Sequence, residues 1–307
     1  MDTILDRIIQ GDCIDWLPKI PPESVHLFLS DIPYGIGLDD WDVFHKNTNS
    51  AYLGQSPAQR GKSGFKRRGK PIQGWNAADR NIVKDYQEWC GNWAKLVYPL
   101  MIKGASLFVF GGRRTIHRAI VALEDTGFLL RDILIWKKDS AHHRSQRLEI
   151  VLARRDEKAL AEKWKGWRIG NLAPIYEPIA WLFKPYERTI TDNIVENEVG
   201  GMNVSECLID GKSPTNVLEL DFRSDENRLH EAQKPIALME YLIRLTTIEN
   251  QVVLDPFIGS GTTAIACQNL NRRFIGFEIN ASYYEDAVQR LETETRQLRF
   301  LHESDSD

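Results

Sequence analysis

Asp255-Pro256-Phe257-Ile258-Gly259-Ser260-Gly261-Thr262-Thr263 lies between an apolar run, Gln251–Leu254, and a helical stretch, Thr262–Leu270. The run reads as a buried strand, so the nonapeptide is a glycine turn joining strand to helix. Gly259 and Gly261 permit tight turning and close backbone approach by a ligand, and Ala264 stands where the dinucleotide fingerprint takes its third small residue. A second strand, Phe274–Phe277, ends at Glu278, an acid placed to accept hydrogen bonds from a ribose diol. No lysine follows the glycines, which excludes an NTPase phosphate loop. The unit suits an adenosine-containing cofactor, and a nicotinamide dinucleotide fits its glycine spacing equally well.

Strands and helices alternate outward from this unit. Pro235–Thr247 precedes it as a helix and Ala281–Arg296 follows as another, with a frayed tail expected beyond Phe300. Towards the N-terminus, Val25–Ser30, Ser106–Phe110, Leu129–Trp136 and Pro178–Phe183 read as strands. Ile82–Leu100, ended by Gly104, Arg113–Thr126, closed by Gly127, and Glu149–Lys165 read as helices. Thr189–Arg228, with Gly200-Gly201, Gly211 and Pro214, is expected to be irregular or a small appended unit. The alternation predicts an α/β fold, Rossmann-like, with a mainly parallel sheet covered by helices on both faces. At 307 residues the chain fits one catalytic domain spanning 1–307.

Apolar content of 42% and charged content of 27% are those of an ordinary soluble globular protein. Asp2, Asp6 and Asp12 interrupt the first residues, so no secretory signal is expected, and no stretch approaches the roughly 18 apolar residues of a membrane span. Cys13, Cys90, Cys207 and Cys267 are scattered without metal-ligand spacing, and His142-His143 are adjacent, so their side chains diverge. A cytoplasmic protein with no bound metal and no membrane contact is expected. The net charge of −4 argues against a nucleic-acid partner, but its distribution argues for one. Lys46, Arg60, Lys62, Lys66, Arg67, Arg68 and Lys70 fall in a glycine-rich stretch, 45–76, that holds no acidic residue. A second basic region, Lys137–Arg168, includes Arg144 and Arg147. Both match the footprint of a phosphate backbone.

The strand Val25–Ser30 runs into Asp31-Ile32-Pro33-Tyr34: a carboxylate, a stiffened turn and an aromatic face. A strand-end turn alone accounts for these residue types. They also suit a planar base carrying an exocyclic amine, a poor nucleophile because its lone pair is delocalised into the ring. Asp31 and the Ile32 carbonyl would accept the two N–H bonds and favour a pyramidal nitrogen. Pro33 would fix the turn, and Tyr34 would stack on a base that has left the duplex.

His230-Glu231-Ala232-Gln233-Lys234-Pro235 leads into the helix before the glycine strand. This segment, then the glycine turn, with the Asp31 motif earlier in the chain, resembles the permuted (β-class) amino-methyltransferases of DNA. The resemblance extends over Gly11-Asp12-Cys13, Glu177-Pro178 and Glu278, from about Ile8 to Leu291. It implies a circularly permuted methyltransferase fold with a seven-stranded sheet, and S-adenosyl-L-methionine as cofactor. Asp255, Phe257, Gly259 and Gly261 would surround its methionine and ribose portions, and Thr262 or Thr263 would meet its carboxylate. Glu278 would hold the ribose hydroxyls, Asp12 and Cys13 would line the adenine pocket, and His230 and Lys234 would close the methionine end. Ile32 departs from the family's usual proline but keeps the carbonyl. By the resemblance, aspartate rather than serine at position 31 favours adenine N6 over cytosine N4. The expected activity is site-specific methylation of double-stranded DNA, with target reading by 140–168 and 189–229. A cognate restriction endonuclease and a homodimer are expected partners. Alternatives are an N4-cytosine methyltransferase, a non-catalytic DNA-binding subunit and an NAD-dependent dehydrogenase.

Overall fold

In the computed structural model the described residues are 1, 3–34, 77–140, 145–170, 172–224, 226 and 233–304. Lys46, Arg60, Lys62, Lys66, Arg67, Arg68, Lys70, Arg144 and His230 lie outside them, as do His142 and His143. In chain order the elements are β1 (Arg7–Gln10), α1 (Cys13–Trp16), β2 (Val25–Asp31), α2 (Ala77–Val97), β3 (Met101–Phe110) and α3 (Ile116–Thr126). There follow β4 (Leu129–Lys137), β5 (Gln146–Arg147), α4 (Leu148–Ala153), α5 (Lys158–Lys163), β6 (Arg168–Ile169), β7 (Tyr176–Phe183) and α6 (Ile190–Asn197). The last are β8 (Val217–Leu218), α7 (Ile236–Thr246), β9 (Val252–Asp255), α8 (Thr262–Asn269), β10 (Arg273–Glu278) and α9 (Ala281–Ser304).

The two-residue period of the apolar runs explains the layering. Phe28 and Ile32 face a core built with Trp93 and Val97 of α2, whereas Leu27 and Leu29 face a second core with Leu238 and Leu242 of α7. Strands buried on both faces read as nearly continuous apolar runs, and β2 is such a strand. The sheet order is β1-β10-β9-β2-β3-β7-β4-β8. Pairing is parallel except where β7 runs antiparallel to β3 and β4. The chain crosses the sheet at the β2–β9 seam, where Leu27 pairs with Val253 and Phe28 with Leu254. From that seam β10 departs to one side and β3 to the other, which makes it a topological switch point. Ligands of open α/β sheets bind outside the carboxyl ends of the strands at such a point. Asp31 and Asp255 are the terminal residues of β2 and β9.

The mainly parallel sheet is as expected, and the differences lie at its margins. Among the described residues the sheet has eight strands rather than seven, because Val217 and Leu218, within the stretch read as irregular, pair with Ile135 and Trp136. Arg7–Gln10 forms an edge strand on β10, too short for its pattern to be read in sequence. The expected helix Glu149–Lys165 is two short helices separated at Asp156, whose backbone is left-handed (φ 61°). Gly104 does not end a helix but lies within β3 with φ 84°, where a Cβ would meet the Asn193 Nδ2 of α6 at 2.1 Å. The last helix continues beyond Arg296 to Ser304.

Candidate active site

Asp255 ends β9 fully enclosed by the turn that follows it. Its Oδ1 accepts from Ser30 Oγ (2.6 Å) and the Phe257 amide (3.2 Å), and its Oδ2 accepts from Thr263 Oγ1 (2.5 Å). Burial pushes this carboxyl up to about 7, against the lowering effect of the Ser30 and Thr263 hydrogen bonds. Gly261 caps α8 with φ 79°, and Gly259 has φ 51° with the Phe257 carbonyl oxygen, at 4.0 Å, in ordinary contact with the place a Cβ would take. The Gly259 amide donates to Glu278 Oε2 (3.0 Å) and the Asn280 amide to Oε1 (2.8 Å). Burial raises the Glu278 carboxyl, and these amides oppose the rise. Arg290 of α9 holds the turn from behind, donating to Ser260 O (3.1 Å) and Thr262 Oγ1 (2.9 Å) and pairing with the buried Glu226 (3.2 Å).

Across the seam, Asp31, Tyr34, Lys234 and Glu177 form one cluster. Lys234 Nζ is paired with Asp31 Oδ2, and lies 3.3 Å from both Tyr34 Oη and Glu177 Oε2. Tyr34 Oη donates to Glu177 Oε2 (3.0 Å), and Glu177 Oε1 is paired with Lys138. Asp31 Oδ1 is buried with no hydrogen-bond partner among the described residues. Burial raises the Asp31 carboxyl, with Lys234 opposing and Glu177 adding to the rise. Burial works against the Lys234 charge, but Asp31 and Glu177 outweigh it and the ammonium is held above its ordinary range. Thr115 Oγ1 donates to the Tyr34 carbonyl (2.8 Å), fixing the end of the motif, and the Ile32 side chain is fully buried in the core beneath α2.

One cleft of about 730 Å³ is lined by Asp31 and Pro33 from the first motif and by residues 255–260, Thr262 and Thr263 from the second. Asp12, Cys13, Lys234 and Glu278 also line it. Asp12 caps α1 by accepting from the Ile14 amide (3.0 Å), and the Cys13 thiol is pushed up to about 12, chiefly by burial. Such a thiol is a packing group rather than a nucleophile. Arg147 sits apart on β5, where it is exposed and donates to Glu149 (2.7 Å).

Four contributors were not among the expected site residues. Trp89 and Trp93 read as core spacing on a helix, yet they line the cleft and pack against Phe257 at ring distances of 5.4 and 5.9 Å. Lys138 carried no motif at all. Glu177 came only with the family resemblance, because its place depends on β7 running antiparallel, which brings the start of that strand to the carboxyl edge of β2. Among the described residues no cluster of three His, Cys, Asp or Glu side chains suits a metal, and no helix is long and apolar enough to cross a membrane.

A sheet of this order, with the Asp31–Pro33 turn and a glycine turn sharing one cleft at its switch point, defines an α/β protein with a nucleotide-type ligand site. The family model described as DNA methylase, of the N6/N4 methyltransferases, matches residues 25–289, and the chain belongs to that family. It is a DNA methyltransferase of the amino-methylating type. It is 46% identical over 295 residues to the type II methyltransferase M.HindIII of Haemophilus influenzae, covering 94% of this chain and 96% of that protein. It is 24% identical over 307 residues to the type II methyltransferase M.HinfI of the same species, covering 95% of this chain and 69% of the relative. Two solved structures share the fold. The cytosine-N4-specific PvuII DNA methyltransferase matches with a TM-score of 0.60, 18% identity and 94% and 89% of the two chains covered. The M1.HpyAVI–SAM complex matches with a TM-score of 0.54, 21% identity and 93% and 98% covered.

Proposed function

We propose that this enzyme methylates the exocyclic N6 amine of an adenine everted from duplex DNA at a specific site, with S-adenosyl-L-methionine as methyl donor. The observation that carries the reading is the shared cleft: Asp31 and Pro33 line the same space as the glycine turn. The residues present fit the cofactor. Gly259 has no Cβ to hold a ligand off the backbone, the N-terminus of α8 faces the turn, and Glu278 closes the far side. When bound, S-adenosylmethionine supplies an electrophilic methyl group. Asp255, Phe257, Gly259 and Gly261 surround its methionine and ribose portions. Thr263 Oγ1 donates to Asp255, whereas Thr262 Oγ1 accepts from Arg290 and lies 3.3 Å from Ser260 Oγ, so Thr262 is the hydroxyl offered to the carboxylate. Glu278 accepts the ribose hydroxyls through lone pairs its two amide donors leave free, and Asp12 and Cys13 flank the adenine. His230 and Lys234 close the methionine end.

Asp31 Oδ1, buried without a partner among the described residues, accepts one amine N–H, and the Ile32 carbonyl accepts the other. Both acceptors strengthen as positive charge develops on nitrogen. The proton that nitrogen releases passes to Asp31 Oδ1. Tyr34 stacks on the base, and Pro33 and Thr115 keep the motif in place. Aspartate at position 31, together with the family resemblance, supports adenine over cytosine. The basic stretch 45–76 clamps the DNA backbone, and 140–168 with 189–229 reads the target. The likeness to M.HindIII, a type II methyltransferase, supports a cognate restriction endonuclease as partner, and a DNA substrate of that kind supports action in the cytoplasm. The family resemblance supports a homodimer.

The test is methylation of mixed-sequence genomic DNA with isotopically labelled S-adenosylmethionine, followed by nucleoside mass spectrometry. Label in N6-methyladenine is expected. Label in N4-methylcytosine would transfer the reading to cytosine, and unlabelled DNA would leave a binding subunit.

A further inference from the structure

We propose that Glu177 is a positioning residue for methyl transfer: with Lys138 as its counter-ion, it holds Tyr34 and the far side of Lys234, and so sets the place and basicity of the Asp31 carboxylate. The inference rests on the reading of Asp31 as the amine acceptor. Four charges alternate from the cleft to the rim: Asp31, Lys234, Glu177 and Lys138. The geometry makes Glu177 the only acid among the described residues paired with both lysines, and the Tyr34 hydroxyl closes the ring by donating to it at 3.0 Å. Lys138 is partly exposed, with 31% of its side chain accessible, whereas Lys234 is at 4%.

A buried lysine serving one carboxylate alone binds it tightly and leaves it a poor proton acceptor. Sharing Lys234 between two acids relieves this. Glu177 draws the ammonium from the far side and adds negative potential, which keeps Asp31 basic enough to take the amine proton. The groups facing Glu177 are Tyr34 beyond β2, Lys138 beyond β4, and Lys234 ahead of α7, with Asp31 behind Lys234. Asp255 faces Asp31 from β9, and Arg113 donates to the neighbouring Tyr176 carbonyl (3.2 Å) and lies over the Tyr176 ring. Burial opposes the charge on Glu177, but Lys234 and Lys138 outweigh it and hold the carboxyl below its ordinary range. Glu177 therefore stays ionised across the working pH.

The two ends of the network make opposite predictions. Glu177→Gln removes a negative charge near Asp31, so the acid limb of the single-turnover methyl-transfer rate moves to lower pH and the plateau falls about tenfold. Lys138→Met removes the cation that offsets Glu177, so the same limb moves to higher pH. Each shift is on the order of half a unit. Glu177→Asp recovers part of the plateau, and calorimetry finds S-adenosylmethionine affinity within about threefold of wild type in all three variants. Lys138 is at the rim, so Lys138→Met tests the idea even if Glu177→Gln does not fold. Limbs that stay put, or that move in the same direction, overturn the proposal. Asp31→Asn run in parallel separates the two layers. Rapid methylation by Asp31→Asn refutes the Asp31 reading itself, whereas an inactive Asp31→Asn beside unmoved limbs refutes only the role of Glu177.

Discussion

Asp31 ends β2 with one carboxylate oxygen held by Lys234 and the other buried without a hydrogen-bond partner among the described residues. A buried acceptor left unpaired costs roughly 1–3 kcal/mol, a cost that an incoming N–H donor removes. Asp31→Ala is therefore expected to reduce methyl transfer at least about a thousandfold in single-turnover assays while calorimetry finds nearly unchanged S-adenosylmethionine binding. Collapse of cofactor affinity instead would assign Asp31 to the cofactor. Asp255 differs in kind, since both its oxygens are satisfied and burial is the chief cause of its upward shift, with the nearby Asp31 adding to it. Its folded value lies above its unfolded one, so its contribution to stability is full below about pH 4 and is lost as pH rises through about 7. The stability of the wild type minus that of Asp255→Asn is expected to fall by up to about 4 kcal/mol across this window, read by urea unfolding. A flat difference would contradict the buried-acid account. Residue identity made both acids visible in sequence. Their different surroundings were not visible, because Ser30 lies 225 positions from Asp255 and Lys234 lies 203 from Asp31.

The strand–turn–helix unit from β9 through α8 to β10 was legible almost whole, because a glycine turn, an apolar run and a helical period agree locally. Its two glycines do different work. At Gly261 a Cβ would sit 3.3 Å from Ala287, at φ 79°, whereas at Gly259 it would meet little. Gly259→Ala then costs only the left-handed backbone, about 1–2 kcal/mol, and Gly261→Ala costs that plus the crowding against α9. Thermal unfolding should rank Gly261→Ala below Gly259→Ala, and the reverse order would contradict the packing of α9 on the turn. Elements whose signals conflict were read less well. Glu149–Lys165 has helical residue types throughout, yet Asp156 turns left-handed and α5 has no buried residue to hold a continuous helix. β8 owes its two residues to the open edge of β4, a neighbour that sequence spacing does not reveal.

At the scale of the whole molecule, the order of motifs along the chain is opposite to what a simple cofactor-first fold suggests. The sheet reconciles them by placing β9 beside β2, so the late glycine turn and the early acid turn open into one cleft. The strand-and-helix alternation made the parallel sheet legible, but the seam depended on a long-range pairing that only the family resemblance implied. Charge is also a whole-molecule property: a net −4 coexists with basic stretches at 45–76 and 137–168. Neutralising Arg67, Arg68 and Lys70 together is expected to weaken DNA binding and to lower the slope of log affinity against log salt by up to about 3. An unchanged slope in fluorescence anisotropy would remove that stretch from the interface.

The shared cleft is tested most directly by a crystal structure of the enzyme with duplex DNA and a non-reactive analogue of S-adenosylmethionine. The analogue is expected on the 255–263 turn, with an everted base in the same cleft, its amine against Asp31 Oδ1 and its ring on Tyr34. A base still stacked in the duplex, or seated on another face of the sheet away from Asp31, would contradict it.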